Sequence, residues 1–371
     1  MVETTSASGR LERMRAKMLQ EDLQSFYCLD LSSVKWLTGF QGVFDDEPAH
    51  LAYITAKDAV LHTDSRYRDA AERAAEGTAW RVAAAKPHAV WAAEAHGADA
   101  AQRMGVETSM MLGEYRALQR AFAEAPLAPE LVETSDFVRG LRAVKDQAEV
   151  EALMAAQKIT DDAFAHIAQF IKVGMTELEI KLELEETMRR MGAEDLAFAS
   201  IVATGPNGAA PHSIAGQTRL QPGHMVVLDF GARKHGYCSD MTRTVCVGHV
   251  TPQAQAVYDA VRAANEAVQA MLKPGVTGAE AHALAERVLE EHGFGGKMGH
   301  GLGHGVGLDI HESPNLSPRN PHPLQAGNVV TVEPGVYLDG VLGCRLEDFG
   351  IITEDGFRRF TQTPHDLVVV G

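Results

Sequence analysis

The hydrophobic pattern of residues 1–130 alternates short apolar runs with longer amphipathic stretches. The apolar runs Leu51–Thr55 and Ala59–Thr63 flank the polar turn Ala56–Asp58, which predicts a β-hairpin. The other predicted strands are Ser25–Leu29, Val106–Glu107 and Leu131–Val132, and the predicted helices are Arg10–Asp22, Arg66–Ala75 and the alanine-rich Val90–Met104. Strands that alternate with helices over this length indicate an α/β layer domain.

The segment Leu127–Glu130 predicts a boundary between two domains, residues 1–130 and residues 131–371. After it, Ser135 has the position of a helix N-cap, and a helical pattern continues to about Ile171. We therefore predict one long helical segment that links the two domains.

The second domain contains an internal repeat. Gln221–Gly231 aligns with Gln325–Gly335, and upstream Lys172–Thr176 aligns with Lys273–Thr277 at a similar offset. Each half then consists of a helix, a turn, a second helix and a strand hairpin. Two matches in the same order indicate a duplication, and duplicated halves pack around a pseudo-two-fold axis with a site where they meet.

Acidic residues occupy matching places in the two halves. Asp229 ends the apolar run Met225–Leu228, and Asp240 begins the next strand candidate beyond the Lys234–Gly236 turn. Such a hairpin places the two carboxylates side by side, where they repel each other unless a proton or a cation lies between them. In the second half, Glu333 and Glu347 flank the turn at Asp339 and Gly340, and Leu342–Asp348 is the second strand candidate.

Histidines are concentrated in the glycine-rich ribbon Gly299–Glu312, which holds His300, His304 and His311. Glycines allow close backbone approach, and imidazoles at fixed spacing serve a metal or proton-transfer site. Four carboxylates with one or two histidines suit Mn²⁺, Co²⁺, Fe²⁺ or Zn²⁺, and the number of carboxylates favours two ions.

Each of these residues has an ordinary structural interpretation when it is considered alone. A lone acid at a strand end is usually a solvated loop contact, and Arg345 beside Glu347 is compatible with a surface ion pair. His212, after a proline, is compatible with a loop histidine, and His300 with a side chain that fills a glycine loop. The functional interpretation depends on the repeat, the hairpin acids and the histidine ribbon occurring together.

The composition narrows the class of protein. The 371 residues include 34 basic and 50 acidic ones, and the net charge of −16 argues against a nucleic-acid partner. The four cysteines form no CxxC pair, which argues against a disulfide framework. No apolar run approaches the ~18 residues that a membrane-spanning helix needs, so we predict a cytoplasmic protein without membrane contact.

Five motifs in this order resemble the pita-bread metallopeptidases, and within them the proline-specific branch of Xaa-Pro dipeptidase (prolidase) and Xaa-Pro aminopeptidase. The motifs are Asp229–Ala232, Ser239–Thr244, His300–His311, Thr331–Gly335 and Arg345–Asp348. Upstream, Trp36–Phe40 and Thr63–Tyr67 are similar to the creatinase-type N-terminal domain. The resemblance implies an α+β protein, with a smaller α/β creatinase-type domain before a pita-bread catalytic domain that carries the pseudo-two-fold repeat.

The resemblance also implies a role for each candidate residue. Asp229 would bind one metal ion, Asp240 and Glu347 would bridge two ions, and His304 and Glu333 would bind the other. Glu333 would also be the general base. The remaining roles are substrate and intermediate contact for His212 and His311, the pocket wall for His300, and orientation of the bridging carboxylates for Arg345.

The implied activity is hydrolysis of a small peptide with proline in second position, using two divalent ions, with manganese favoured over cobalt or zinc. The compact chain favours an Xaa-Pro dipeptidase, with an Xaa-Pro aminopeptidase as the alternative and a non-catalytic peptide-binding protein as a remote one. The complete ligand set argues against the metal-free creatinase branch. We also expect a homodimer. The acidic loop Asp45–Glu47 is compatible with contact to a substrate amino group and equally with an ordinary solvated surface.

Overall fold

The computed structural model describes residues 7–84, 86–97 and 102–371, which divide into two compact units, one ending at Arg142 and the other running from Ala143 to Gly371. This boundary lies later in the chain than the predicted one after residue 130. The reason is that the strand Glu130–Thr134 pairs with Arg103–Glu107 of the first unit, so residues 131–142 belong to that unit. No helix within the described ranges has the length and apolar character needed to cross a bilayer.

The first unit is a six-stranded mixed sheet with helices. Its strands are β1 (Ser25–Cys28), β2 (Leu51–Thr55), β3 (Ala59–Thr63), β4 (Arg81–Ala84), β5 (Arg103–Glu107) and β6 (Glu130–Thr134), in the sheet order β4-β3-β2-β1-β5-β6. Its helices are α1 (Ala7–Gln20), α2 (Leu31–Thr38), α3 (Arg68–Ala75), α4 (His88–Ala95), α5 (Leu112–Ala123) and α6 (Phe137–Arg142). The predicted hairpin is confirmed as the antiparallel pair β2–β3.

Two helix predictions need correction. The helix predicted over Val90–Met104 ends at Ala95, and β5 begins at Arg103, while residues 98–101 of that prediction lie outside the described residues. The long linking helix is interrupted between α6 and α7 (Gln147–Phe170). There the Lys145 backbone N–H donates to the Gly327 carbonyl, and Asp146 with Glu149 forms a capping box that starts α7 anew.

The second unit repeats one pattern twice. The first half contains α7, α8 (Glu177–Arg190), β7 (Asp195–Leu196), β8 (Ile201–Thr204), a 3-10 helix (Gly205–Ala209), β9 (Met225–Phe230), β10 (Ala232–Lys234), β11 (Tyr237–Cys238) and β12 (Met241–Val247). The second half contains α9 (Pro252–Met271), α10 (Gly278–Glu291), β13 (Gly303–Gly305), β14 (Glu312–Leu316), β15 (Val329–Val332), β16 (Gly335–Leu338), β17 (Leu342–Arg345), β18 (Asp348–Ile352), β19 (Phe357–Arg359) and β20 (Val369–Val370).

The two halves share both capping chemistry and strand pairing. Thr176 and Thr277 each start the second helix of their half with the same Thr-x-x-Glu capping box. β9 pairs antiparallel with β12, and β15 pairs antiparallel with β18. One apolar core packs around α7 and α8 and another around α9 and α10. The predicted α+β class and the internal duplication are therefore confirmed.

Candidate metal centre

The four acids lie where corresponding strands of the two halves begin or end. Asp229 is in β9 and Asp240 directly precedes β12, while Glu333 directly follows β15 and Glu347 directly precedes β18. The register differs from the prediction, because Thr242 rather than Asp240 lies opposite Asp229. The segment Leu342–Asp348 is also not one strand, since β17 ends at Arg345 and β18 begins at Asp348.

All the predicted site residues line one cavity of about 650 Å³. Within it, the His304 Nε2 atom lies 3.5 Å from Asp240 Oδ2 and 3.5 Å from Glu333 Oε1. Ligand atoms of Asp240, His304 and Glu347 all lie within 4.8 Å of one another. The residues that share this cavity are Asp229, Asp240, Glu333, Glu347, His212, His300, His304, His311 and Arg345. Their individual roles stay predictions.

The carboxylates of this cavity are held in surroundings that disfavour their negative charge. Burial raises the pKa of Asp240 well above its usual range, and the nearby Glu347, Asp229 and Glu333 add to the effect. Burial also raises the pKa of Glu347, with help from Glu333 and Asp229. For Glu333, burial outweighs the opposing effect of Arg345 and raises the pKa to about 8. Such a cluster favours a bound cation, which would compensate the repulsion.

Orphaned oxygens and the donor set both fit a divalent cation. Among the described residues, Asp229 Oδ1 and Glu347 Oε1 are buried without a hydrogen-bond partner, although buried polar atoms are normally paired. The available donors are carboxylate oxygens and one imidazole nitrogen, which suit Mn²⁺, Co²⁺, Fe²⁺ or Zn²⁺.

His304 presents its lone pair to the acids. Its Nδ1 lies 3.0 Å from the Gly305 carbonyl oxygen, so Nδ1 carries the proton and donates, and Nε2 is left as the acceptor toward Asp240 and Glu333. Burial, together with the neighbouring His311, lowers the pKa of His304 to about 4. A neutral imidazole fixed in this way is the form that binds a metal ion.

Arg345, the last residue of β17, links the second half of the repeat to the β9–β12 hairpin of the first half. Its side chain is 4% exposed, which excludes the surface ion pair, and its guanidinium donates to Asp229 Oδ2 at 2.5 Å and to Thr242 Oγ1 at 3.1 Å. The Thr242 hydroxyl in turn donates to Glu347 Oε2 at 2.7 Å. Burial opposes the Arg345 charge, but Tyr337, Asp229 and the glutamates keep its pKa well above the ordinary value. Arg345 is therefore hydrogen-bonded to one carboxylate directly and linked to another through Thr242.

Sequence analysis did not identify two residues that take part in the hydrogen-bond network of this site, Thr242 and Tyr337. Thr242 lies inside a quoted motif, yet only the register shows that it connects Arg345 to Glu347. The Tyr337 hydroxyl contacts Arg345 at 2.8 Å and His300 Nε2 at 3.0 Å, and it lies outside every motif. The turn at Asp339 and Gly340 predicts a hairpin here, but only the β16–β17 register and the side-chain contacts show that Tyr337 reaches Arg345 and His300.

The three other histidines border the cavity. His300 is held by Tyr337, and burial lowers its pKa to about 4. The His311 ring packs edge-on against His304 with centroids 4.3 Å apart, and burial, with His212 nearby, lowers its pKa. His212 follows the 3-10 helix and lines the same cavity. The imidazoles of His300 and His311, whose pKa values are lowered, are therefore neutral near pH 7.

Gly303→Ala is expected to lower the free energy of unfolding by about 1–3 kcal/mol, because overpacking forces the backbone apart. A Cβ atom at Gly303 would lie 2.2 Å from the Thr331 carbonyl oxygen, on strand β15 directly before Glu333. Gly301→Ala is the matched control, since its nearest neighbours would be 3.6 Å from the new Cβ. Denaturant unfolding of both variants measures the difference, and equal stabilities would contradict the prediction.

Two families of known proteins match this chain. Metallopeptidase family M24 matches residues 151–354. The creatinase/prolidase N-terminal domain matches residues 10–144. An uncharacterised peptidase, YqhT, from Bacillus subtilis strain 168 is 37% identical over 361 residues, which cover 97% of this chain and 100% of that protein.

Solved structures with this fold include enzymes of both proline-specific types. An Xaa-Pro dipeptidase from Bacillus anthracis superposes with a TM-score of 0.91 at 34% identity, over 98% of this chain and 100% of that one. An X-Pro aminopeptidase from Thermotoga maritima MSB8 superposes with a TM-score of 0.85 at 33% identity, over 97% of this chain and 100% of that one. This chain is thus similar along its length to both.

Proposed function

The chain belongs to metallopeptidase family M24 and is a hydrolase, and on that premise we propose that it cleaves the Xaa-Pro peptide bond as an Xaa-Pro dipeptidase. Its two units are a creatinase-type N-terminal domain and a pita-bread domain. The observation that carries the proposal is the buried cluster of Asp240, His304, Glu333 and Glu347 in one cavity. The similarity to the B. anthracis dipeptidase supports the choice of substrate.

The family implies divalent metal ions, and we propose two, with manganese favoured over cobalt or zinc. The residues that would hold them are Asp229, Asp240, His304, Glu333 and Glu347. Divalent ions supply Lewis acidity, which lowers the pKa of water and polarises a peptide carbonyl. Side chains of this cavity would supply proton transfer, stabilisation of the oxyanion and orientation of the carboxylates.

Proton transfer and charge stabilisation are assigned to three residues. Glu333, buried 3.5 Å from His304, would accept a proton from the attacking water and return it to the prolyl nitrogen. His311 and His212 would donate hydrogen bonds to the oxyanion of the tetrahedral intermediate. Arg345 would keep Asp229 and, through Thr242, Glu347 in place during the reaction.

The cavity also suits the substrate. Proline has a fixed φ and no N–H, so recognition must come from the shape of its ring rather than from a backbone hydrogen bond. Apolar side chains form part of the cavity wall and would contact that ring or the preceding side chain. They are Phe198, Ile201, Pro211, Ile214 and Ile310.

An Xaa-Pro aminopeptidase is the second candidate, and one observation favours it. A neighbouring cavity of about 960 Å³ shares His300, Gly301 and Gly303 with the first. Space beside His300 would admit residues that follow proline. The T. maritima relative is named an X-Pro aminopeptidase.

Comparison of an Xaa-Pro dipeptide with the matching Xaa-Pro-Xaa tripeptide distinguishes the two candidates. We expect at least about a tenfold higher kcat/KM for the dipeptide, which corresponds to about 1.4 kcal/mol in the transition state. A matched dipeptide with alanine in place of proline is the control for proline selectivity. Faster cleavage of the tripeptide would support the aminopeptidase, and absence of metal-dependent cleavage would support the non-catalytic alternative.

The expected homodimer and cytoplasmic location stay predictions, which sedimentation velocity and cell fractionation would measure. The role of the acidic loop Asp45–Glu47 also stays a prediction. In the first unit, the Tyr67 hydroxyl donates to Asp45, and this contact lowers the pKa of that carboxyl.

A further inference from the structure

A buried ion pair lies outside the predicted set of site residues. The Lys145 ammonium is 2.8 Å from Glu312 Oε2, and the two side chains are 1% and 4% exposed. The other carboxylate oxygen, Oε1, accepts the Asp309 backbone N–H at 3.0 Å. Both oxygens of Glu312 therefore have a defined partner.

Glu312 directly follows His311 and closes the loop that begins at His304. Its backbone pairs with Gly305, the residue after His304. Its carboxylate also fills the space beside Gly307, where a Cβ atom would lie 2.5 Å from Glu312 Oε2. One side chain thus contacts the loop between the two histidines at several points.

The side chain of His311 needs such support. It is exposed and packs edge-on against His304, so its position depends on the backbone that carries it. That backbone is continuous with Glu312. A shift of Glu312 would therefore move His311 relative to the acids of the cavity.

Lys145 connects this loop to strand β15, which directly precedes Glu333. Its backbone N–H donates to the Gly327 carbonyl at 2.9 Å, two residues before β15 begins. Its ammonium reaches Glu312 at the start of β14. Lys145 is thus attached both to the loop of His311 and to the base of the strand that precedes Glu333.

A buried ion pair is weak evidence for stability, because an apolar pair of similar volume is often as stable. Directional hydrogen bonds from two fixed partners do, however, define where a carboxylate lies. We propose that Lys145 and Glu312 are positioning residues for the reaction, which hold His311 against the substrate at the site of the proposed function. The inference rests on that function for the role of His311.

The variant Lys145→Met/Glu312→Leu separates positioning from stability. We expect its melting temperature and metal content to stay near those of the wild type, while kcat falls by roughly 10- to 100-fold and KM changes little. The matched control is the exposed pair Lys158 and Asp162, where Lys158→Met/Asp162→Leu leaves kcat unchanged. Wild-type kcat in the Lys145/Glu312 variant would overturn the proposal.

Glu312→Gln supplies a second test that does not depend on the folding of the double variant. In a double-mutant cycle with His311→Ala, we expect Glu312→Gln to lower kcat when His311 is present. The same substitution should have little effect on kcat when residue 311 is alanine. Additive effects would overturn the proposal. The cycle runs on whichever dipeptide the wild type cleaves, so loss of proline selectivity would contradict the proposed substrate without deciding this inference.

A crystal structure of Glu312→Gln supplies a readout independent of activity. We expect the His311 imidazole to be displaced relative to Glu333 or to lose its single position. An unchanged His311 in this variant would overturn the proposal even if no peptide substrate were found.

Discussion

Asp240→Asn is expected to lower kcat/KM for an Xaa-Pro dipeptide by roughly a thousandfold, because a metal centre contributes several kcal/mol to the transition state. The Asp240 Oδ2 atom lies 3.5 Å from His304 Nε2, and one potential ligand atom from each of Asp240, His304 and Glu347 lies within 4.8 Å of the others. Asparagine keeps the shape of the side chain and removes its charge. The fold should persist, since the pKa of Asp240 is raised and its charge is unfavourable without a cation.

Three measurements check this prediction: kcat/KM, metal content by elemental analysis, and the circular dichroism spectrum. The control is Asp162→Asn, at an exposed carboxylate that pairs with Lys158 on the surface of α7. This control should retain full activity and metal. Near-normal turnover by Asp240→Asn with its metal bound would rule out the assigned role of Asp240 in the cluster.

After chelation of metal ions, the stability of the protein is expected to fall as the pH rises from about 7 to about 8.5. The pKa of Glu333 is about 8 in the folded chain and near 4.5 when unfolded, so the folded state binds more protons in this window. Stability falls with pH wherever the folded state binds more protons. Glu333 alone accounts for on the order of 1–2 kcal/mol, and Asp240 and Glu347 act in the same direction.

The lower limit of the window is set by the histidines. Burial lowers the pKa of His50, His62 and His304 to about 4, so these groups add stability that is lost as the pH falls below about 6.5. Near and below that pH the two effects oppose each other. Above about pH 7 most imidazoles are neutral in the unfolded chain as well, so the raised pKa values of the carboxylates determine the sign of the slope.

Glu333→Gln isolates the carboxylate contribution. In chelated protein at pH 8, this variant should melt at a higher temperature than the wild type, although it lacks the proposed base. Glu354→Gln, on the exposed turn before β19, is the matched control and should leave the melting temperature unchanged. Thermal unfolding between pH 7 and 8.5, with and without added Mn²⁺, measures both effects. A flat or rising stability in the chelated wild type would contradict the prediction.

Local sequence patterns were sufficient for several elements of this protein. The β2–β3 hairpin follows from two apolar runs around a polar turn. The aligned segments Lys172–Thr176 and Lys273–Thr277 precede α8 and α10, where the structure adds a Thr-x-x-Glu capping box in each half. These signals are short in range, since capping and alternation involve residues within a few positions of each other. The acids and the histidine ribbon were also visible as residues, because matching acids occur in both halves of the repeat together with three histidines in one glycine-rich segment.

The duplication, the class of fold and the chemical groups that meet in the cavity could all be predicted from residues 1–371 alone. Their arrangement could not: Thr242 lies opposite Asp229, Arg345 reaches Glu347 through Thr242, and the linking helix stops before α7. The physical reason is that these features depend on hydrogen bonds between distant parts of the chain, such as the one from Lys145 to Gly327. Strand register and side-chain networks follow from packing that a local pattern does not encode.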